Sequence, residues 1–203
     1  MIGPGLFELP STHPDGMDHC TEQLDWCMPV HPLLASRFSP MWFDPSWTVS
    51  EDDVELLLDA ARWAPSAGNS QPWAYFVARR GEPDHDRLVK HLARSSARWA
   101  PSASLLIVTM AHRYIEDTDW AYSDFADYDL GQSVAHLTLQ AHAMNLACRQ
   151  FRAFNLETLT TDLNPGPGWH IISMIAIGHP AEDRPDSRER RSTTELRTAP
   201  WDA

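Results

Sequence analysis

A six-residue segment, RWAPSA, occurs twice in the chain and is followed by very different residues. The second copy begins at Arg98 and continues into the apolar run 105–108, which predicts a turn that feeds a buried strand. The first copy begins at Arg62 and continues into GNSQPW, which introduces side-chain amides where the chain should enter the core. A true repeat extends further and recurs at a fixed period. We therefore interpret the pair as one ordinary turn and one candidate binding loop.

The first copy ends the clearest helix of the sequence. Ser50 is the predicted N-cap, and Asp53 completes an acidic capping box. The apolar face that follows has helical spacing and consists of Val54, Leu57, Leu58 and Ala61. Pro65 ends the helix, and Asn69 and Gln71 then offer amides that both donate and accept hydrogen bonds, as a flat heteroaromatic ring requires. Taken alone, the segment favours the simpler interpretation, a polar turn whose amides cap a helix end.

Helical and strand patterns alternate irregularly along the rest of the chain. Helices are predicted over about 84–95 and 127–147, and extended segments over 73–79, 105–110, 148–154 and 170–178. No glycine-rich loop follows the first strand, which argues against a Rossmann domain or a P-loop. Residues 112–125 are acidic and aromatic and are predicted to form a lid.

Charge and hydropathy exclude some classes of partner. The formal net charge of −12 argues against a nucleic-acid surface, which needs clustered cations. The chain has no apolar run long enough to span a membrane and no secretory signal pattern, so the sequence predicts a cytoplasmic protein without a membrane partner. Its 203 residues suit one buried domain.

Two short segments offer positive charge for an anion. Arg37 and Ser39 offer a guanidinium and a hydroxyl suited to a phosphate group. The segment RERR over 188–191 is the second supply of charge, either as an anion site or as a solvated basic tail. No convincing nucleophile–base pair accompanies them, because the histidines are scattered and the cysteines lack metal-like spacing. These residues are His112, His136, His142 and His170, and Cys20, Cys27 and Cys148.

Together these motifs resemble the FMN-dependent nitroreductase family. ARWAPSAGNSQPW is similar to the family signature, in which a helix ends in Ala-Pro-Ser and continues into Asn-x-Gln-Pro-Trp. The resemblance extends through SRFSP, DLGQSVAHLTLQAHAMNLACRQF, IAIGHP and RER, over about residues 33–192. It implies an α+β fold whose central, mainly antiparallel sheet is flanked by helices, within an intertwined homodimer.

The resemblance also implies a domain organisation. Residues 1–32 would form a partly loose N-terminal arm, residues 33–192 the FMN-binding domain with its lid at about 112–125, and residues 193–203 a C-terminal tail. Two FMN molecules would lie at the subunit interface, each held by both chains.

Site residues follow by position in the resemblance. The FMN phosphate and ribityl end would contact Arg37, Phe38, Ser39, Arg188 and Arg190. The flavin ring would contact Pro65, Ser66, Asn69 and Gln71, and its N5 edge would face Gln150, Phe151, Arg152 and Ala153. The substrate side would be covered by lid residues Trp120, Tyr122 and Phe125. No residue is assigned a catalytic role and no metal is expected, because the flavin carries the chemistry.

The implied activity is electron transfer from NADH or NADPH to a nitroaromatic, a quinone or a related planar acceptor. Donor and acceptor would use one pocket, which predicts ping-pong kinetics. A flavin-binding or sequestering protein, a subunit of a biosynthetic complex and a flavin-fragmenting enzyme are the alternatives.

The chain departs from the family pattern at two places. Met41 stands where the pattern usually carries another arginine, and Arg191 is a candidate to replace its charge. Arg152 and Ala153 stand where the loop near N5 is usually small and contains glycine. Arg152 either faces the flavin and raises its potential or has a structural role, pairing with a carboxylate of the acidic lid.

Overall fold

A computed structural model of the chain describes residues 30–114, 125–185 and 188–197. These residues form a four-stranded sheet of order β1-β2-β4-β3, in which every neighbouring pair is antiparallel. The strands are β1 (Trp73–Arg79), β2 (Leu105–His112), β3 (Ala147–Phe151) and β4 (Trp169–Gly178). The antiparallel sheet confirms the predicted α+β fold; the domain boundaries and the homodimer stay predictions.

Helices lie before, between and after the strands along the chain. They are α1 (Pro32–Ser36), α2 (Glu51–Arg62), α3 (Pro83–Val89), α4 (Phe125–Ala143), α5 (Leu156–Leu163) and α6 (Thr193–Arg197). None within the described ranges has the length and apolar character needed to cross a membrane.

Strand β2 is buried on both faces, which explains its continuous apolar run. Leu105 and Ile107 pack in one cluster with residues of α2 and α4. Leu106 and Val108 point to the opposite face and pack in a second cluster with α3 and α5. Because successive side chains of a strand alternate between faces, both helix layers are held by this one strand.

The predicted capping box of α2 is present. Asp53 donates its backbone N–H to Ser50 Oγ at 3.1 Å, and Ser50 donates its own N–H to Asp53 Oδ2 at 3.0 Å. The helix ends at Arg62, shortly before Pro65. In the second RWAPSA copy, a 3-10 turn, Ala100–Ser102, leads into β2, which confirms the ordinary turn expected there.

Two predicted helix ends are wrong. Helix α3 stops at Val89 instead of near residue 95, because the following backbone pairs with the segment after β3. Ala93 donates to the carbonyl of Ala153 at 3.0 Å, and this tertiary pairing overrides helical propensity. Helix α4 stops at Ala143, before the predicted 147, because Asn145 takes a left-handed φ of 59°.

Candidate functional site

Arginines from two distant parts of the chain meet at the C-terminal end of α1. Arg188 donates from its two terminal nitrogens to the carbonyl oxygens of Ala35 and Arg37, which docks the tail on this helix end. Arg37 donates from Nη1 to the hydroxyl of Ser39 at 3.4 Å. The structure therefore brings together Arg37, Ser39 and Arg188, which the sequence predicts at the phosphate end of the site.

This arginine cluster consists of Arg37, Arg184, Arg188 and Arg190, and no carboxylate of the described residues compensates its charge. Partial burial lowers the pKa of Arg188, and so do the charges of its neighbours Arg190, Arg37 and Arg184. Across 30–114, 125–185 and 188–197, no carboxylate forms a salt bridge with any of the four. Guanidinium groups held together without carboxylates are the surroundings that a phosphate dianion favours. The arginine cluster therefore fits the phosphate of a nucleotide cofactor.

Helix α4 and strand β3 border the arginine cluster. His142 Nε2 lies 2.6 Å from the hydroxyl of Ser36, and Gln150 donates to Thr138 Oγ1 at 2.7 Å. Arg37 acts electrostatically on both His142 and Cys148. The predicted contact Gln150 thus lies on a strand that begins beside the cluster.

The thiol of Cys148 is chemically silent at neutral pH. Complete burial raises its pKa to about 12, only partly opposed by a hydrogen bond with Thr138. A thiol that stays protonated is neither a nucleophile nor a metal ligand. This confirms the inert role expected of Cys148; Cys20 and Cys27 lie outside the described residues.

The amide loop of the first RWAPSA copy has an unusual backbone. Asn69 and Gln71 have φ angles of 57° and 48°, although neither is glycine, and Gln71 precedes a proline. Left-handed backbone at such residues costs about 1–3 kcal/mol each and persists only where the surroundings impose it. Gly68 makes the same turn with a φ of 58° and without a side-chain penalty. Conformations of this kind concentrate at ligand sites, as the sequence predicts here.

Helix α4 imposes that backbone through a buried carboxylate. Asp129 is 3% exposed and accepts a hydrogen bond from the backbone N–H of Ala67 at 2.9 Å. Within the loop, Ser66 Oγ accepts from the backbone N–H of Gln71 at 3.0 Å. The predicted loop residues Ser66 and Gln71 therefore form a closed turn tied to α4.

One turn further along α4, Ser133 ties the end of α2 to the sheet. Its hydroxyl donates to the carbonyl of Ala61 at 2.8 Å and lies 2.6 Å from the hydroxyl of Tyr75. Burial raises the pKa of Tyr75 to about 12, so the phenol stays protonated and is the donor to Ser133.

An open cavity of about 410 Å³ lies against the amide loop. Its walls are Arg62, Trp63, Ala64, Pro65, Asn69 and Gln71. Trp63 is 73% exposed, which is unusual for so large an apolar side chain. The loop thus presents two amides and an aromatic ring to a common space, which suits a planar ligand.

The amide loop and the arginine cluster contact opposite ends of α4. The loop is anchored at Asp129 and the cluster borders His142, thirteen residues later on the same helix. At 1.5 Å per residue, the two anchor points are about 20 Å apart along the helix axis. Within one chain, the arginine cluster and the amide loop are therefore held apart.

Arg152 has a structural environment. Its Nη1 donates to the carbonyl oxygens of Ile171 and Ile172 in β4, and its guanidinium lies 5.7 Å from the ring of Phe154. Ala153 keeps a negative φ, since it is not among the left-handed residues. An alanine at position 153 can therefore offer its backbone N–H to a ligand, because the backbone there does not require glycine. The predicted contact Phe151 packs edge-on against Trp99, with ring centroids 4.9 Å apart.

Arg149 lies beside Met41, where the chain departs from the family pattern. Met41 is 54% exposed, and its sulfur lies 3.5 Å from Arg149 Nη1. Arg149 also donates to the carbonyl of Pro40 at 3.1 Å and stacks 4.1 Å from the ring of Trp99. A guanidinium from β3 thus holds the segment that follows Ser39.

Of the predicted lid residues, Trp120 and Tyr122 lie outside the described residues. Phe125 is the first residue of α4; it is 57% exposed and meets Tyr128 edge-on, with ring centroids 6.2 Å apart. Arg113 donates to Asp127 at 2.6 Å and fastens the end of β2 to the start of this helix.

Comparison with known proteins identifies the family. The sequence model of the family described as "Nitroreductase family" matches residues 34–98. A solved structure from Desulfovibrio desulfuricans, described as a candidate nitroreductase in complex with FMN, is 30% identical. The similarity covers 83% of this chain and 96% of that chain, with a TM-score of 0.69. The chain belongs to the nitroreductase family.

Two further relatives of this nitroreductase family member are informative. A Streptomyces coelicolor protein, named as a candidate NADH dehydrogenase/NAD(P)H nitroreductase, is 25% identical over 150 residues, covering 64% of this chain and 74% of the relative. The major NAD(P)H-flavin oxidoreductase of Aliivibrio fischeri is 42% identical over 51 residues, covering 24% of this chain and 23% of the relative.

The predicted site residues of this nitroreductase do not include the polar side chains of α4. Asp129 and Ser133 anchor the amide loop and its helix, and Thr138 and His142 border the arginine cluster. A signal for them exists in the sequence, because each pair is spaced by four residues and therefore lies on one face of the helix. The partners of Asp129, Ser133 and His142 lie about 60 to 110 residues away, and Gln150, the partner of Thr138, lies on the following strand. One sequence does not reveal such contacts.

Proposed function

We propose that this chain is an FMN-dependent oxidoreductase that passes electrons from NADH or NADPH to a small planar acceptor, such as a nitroaromatic or a quinone, by a ping-pong mechanism. The uncompensated arginine cluster beside Ser39 carries the proposal, because it fits a nucleotide phosphate. The FMN in the Desulfovibrio structure and the flavin and NAD(P)H in the relatives' names support it. FMN and NAD(P)H are thus the cofactors.

The phosphate end of FMN is assigned to three arginines with distinct tasks. Arg37 and Arg190 would bind the phosphate, with the hydroxyl of Ser39 beside Arg37. Arg188 already uses both terminal nitrogens on backbone carbonyls of the α1 end, so its task is to keep the tail docked and to add positive charge. Phe38 is the half-buried residue between Arg37 and Ser39.

The ring end of FMN is assigned to the amide loop and to the end of β3. Asn69 and Gln71 would hydrogen-bond the carbonyl and nitrogen edge of the ring. Their left-handed backbone fixes the positions from which the two amide side chains extend. Ala153 would offer its backbone N–H near N5, and Gln150 would lie alongside the ring. Arg152 would stay on the carbonyls of β4 and not on the flavin.

When bound, FMN supplies the hydride and electron chemistry itself. The chain's residues therefore need only to hold it, orient it and exclude water. This agrees with the inert thiol of Cys148 and with the lack of an assigned general acid or base. A buried free thiol is also in keeping with a cytoplasmic location, which we propose as well.

We further propose that the protein works as a homodimer with each FMN between two chains. The support is the separation of the two half-sites, which α4 holds about 20 Å apart. The arginine cluster of one chain would bind the phosphate, and the amide loop of the partner would contact the ring. A single chain would then offer two incomplete sites.

Discrimination between FMN and riboflavin tests the phosphate assignment. Riboflavin lacks the phosphate, so Arg37→Ala should weaken FMN binding by about ten- to a hundredfold, from a charge-assisted bond of roughly 1.5–3 kcal/mol. Riboflavin binding should not change. Arg98→Ala is the matched control, because Arg98 is an exposed arginine of the ordinary RWAPSA copy. Equal losses for FMN and riboflavin would contradict the assignment.

Hybrid dimers test the sharing of sites. Chains carrying Arg37→Ala and chains carrying Asn69→Ala are co-expressed with different tags, and the mixed dimer is purified. If the two residues of one site belong to different chains, the hybrid contains one intact site and one doubly altered site. It should then bind one FMN per dimer with wild-type affinity. Two weakened sites and no site of wild-type affinity would mean that Arg37 and Asn69 serve the same site from one chain.

Steady-state kinetics tests the mechanism. Initial rates are measured with NADPH or NADH varied at several fixed concentrations of a quinone or nitroaromatic acceptor. Parallel lines in double-reciprocal plots are expected, because the donor must leave before the acceptor enters. Intersecting lines would show that both are bound together and would exclude the shared pocket.

A further inference from the structure

His142 and Ser36 form a hydrogen bond of defined direction beside the arginine cluster. The hydroxyl of Ser36 lies 2.6 Å from the carbonyl of Pro32 and 2.6 Å from His142 Nε2. A hydroxyl has one proton, and the carbonyl can only accept, so Ser36 donates to Pro32 and accepts from His142. Nε2 of His142 therefore carries a proton, and Nδ1 is the nitrogen left to gain a second one.

In the part of the chain that the structure describes, the charged groups that act on His142 are all cations. Arg37 follows α1, and Arg184 and Arg188 come from the tail. Burial lowers the pKa of His142, and these three arginines lower it further. In the protein without an anion, His142 is therefore neutral near pH 7. A dianion bound among the same arginines would offset their charge and favour the protonated imidazole.

We propose that His142 is a further cofactor-positioning residue, which takes up a proton when a phosphate dianion binds the arginine cluster and then adds its own positive charge. The inference rests on the proposed function of that cluster. Protonation does not break the bond to Ser36, because Nε2–H is the donor in both the neutral and the charged ring. Relative to a protein without this imidazole, retention of FMN would thereby increase as the pH falls towards 6.

The sign of the proton exchange separates His142 from the ligand itself. A phosphate monoester has a second pKa near about 6, so its binding to arginines as the dianion releases protons. Uptake at His142 has the opposite sign. His142→Gln keeps an N–H donor for Ser36 but cannot titrate, so the difference between wild type and this variant isolates the histidine.

Calorimetric titration of FMN into the apoprotein measures this exchange. Titrations at pH 6.5 in two buffers with different ionisation enthalpies give the number of protons taken up. We expect up to about one more proton per FMN for wild type than for His142→Gln, and an affinity difference that grows by up to about tenfold per pH unit on acidification. His136→Gln is the control, because His136 lies six residues earlier on α4, about 240° around the helix. It should behave as wild type, and riboflavin should show no such difference.

A second measurement keeps the test independent of the variant's folding. The imidazole Cε1 proton of His142 is titrated by NMR in the wild-type apoprotein, with and without inorganic phosphate. Phosphate should raise the pKa of His142. An unchanged His142 pKa in the presence of bound phosphate, or equal proton numbers for wild type and His142→Gln, would overturn the inference while leaving FMN binding intact. Failure of both FMN and phosphate to bind would overturn the proposed function together with it.

Discussion

Removal of the Asp129 carboxylate should loosen the amide loop. Asp129 is buried and accepts one well-placed hydrogen bond, from the backbone N–H of Ala67 at 2.9 Å, and a longer one from Gln132 at 3.4 Å. Asp129→Ala removes the hydrogen bond from Ala67 to a charged acceptor, which costs about 1.5–3 kcal/mol. For a chain of this length, that corresponds to a fall in Tm of roughly 3–12 °C. The strained loop would also relax, so FMN should bind about ten- to a hundredfold more weakly.

Asp127→Ala is the matched control for this prediction. Asp127 lies two residues earlier on α4, and its side chain is 43% exposed and paired with Arg113. An exposed pair of this kind contributes about 0–1 kcal/mol, so this variant should melt within a few degrees of wild type and retain FMN. Thermal melts and FMN titrations of both variants decide the matter. Equal melting temperatures for the two, or an Asp129→Ala protein that binds FMN as wild type does, would refute the anchoring role.

Three further variants test other contacts of the fold and site. Ser133→Ala leaves the buried hydroxyl of Tyr75 without a partner and should cost about 1–3 kcal/mol in urea unfolding; an unchanged midpoint would contradict this. Arg152→Ala should leave the reduction potential of bound FMN unchanged, because its guanidinium bonds carbonyls of β4; a lowered potential in a spectroscopic redox titration would mean that it faces the flavin. Burial lowers the pKa of His85 in the folded state, so its neutral form contributes stability above about pH 6.5 that is lost as the pH falls below it. His85→Met should flatten the decline in Tm between pH 7 and 5, and parallel curves would refute the reasoning.

The fold was largely predictable because its strands are strongly patterned. The strand predicted over 73–79 is β1, and the apolar run from Leu105 marks the strand that is buried on both faces. The Ser50 capping box gave the start of α2 correctly, because both of its hydrogen bonds are local. The end of α3 was not predictable, since it depends on backbone pairing with residues about sixty positions later.

The sequence motifs indicated the arginine end of the candidate site, but not the α4 side chains that hold the amide loop. Arg37 and Arg188 were predicted to meet, and the structure joins them through the α1 end. The role of Asp129 was not predicted, because a carboxylate in a long helix is usually solvated, and only the packing of α4 against the loop shows that it is buried. The task of Arg188 also changed, since its hydrogen bonds go to backbone carbonyls that no sequence motif reveals.

The central claim is that this chain binds FMN and reduces it with a nicotinamide donor. The most direct test is the visible spectrum of the purified protein, reconstituted with FMN, before and after addition of NADPH or NADH without oxygen. The account predicts a yellow protein that bleaches with one of the donors and recovers its colour when a quinone is added. A protein that binds FMN but does not bleach with either donor would contradict the proposed activity, and a protein that cannot be reconstituted with FMN would contradict the site itself.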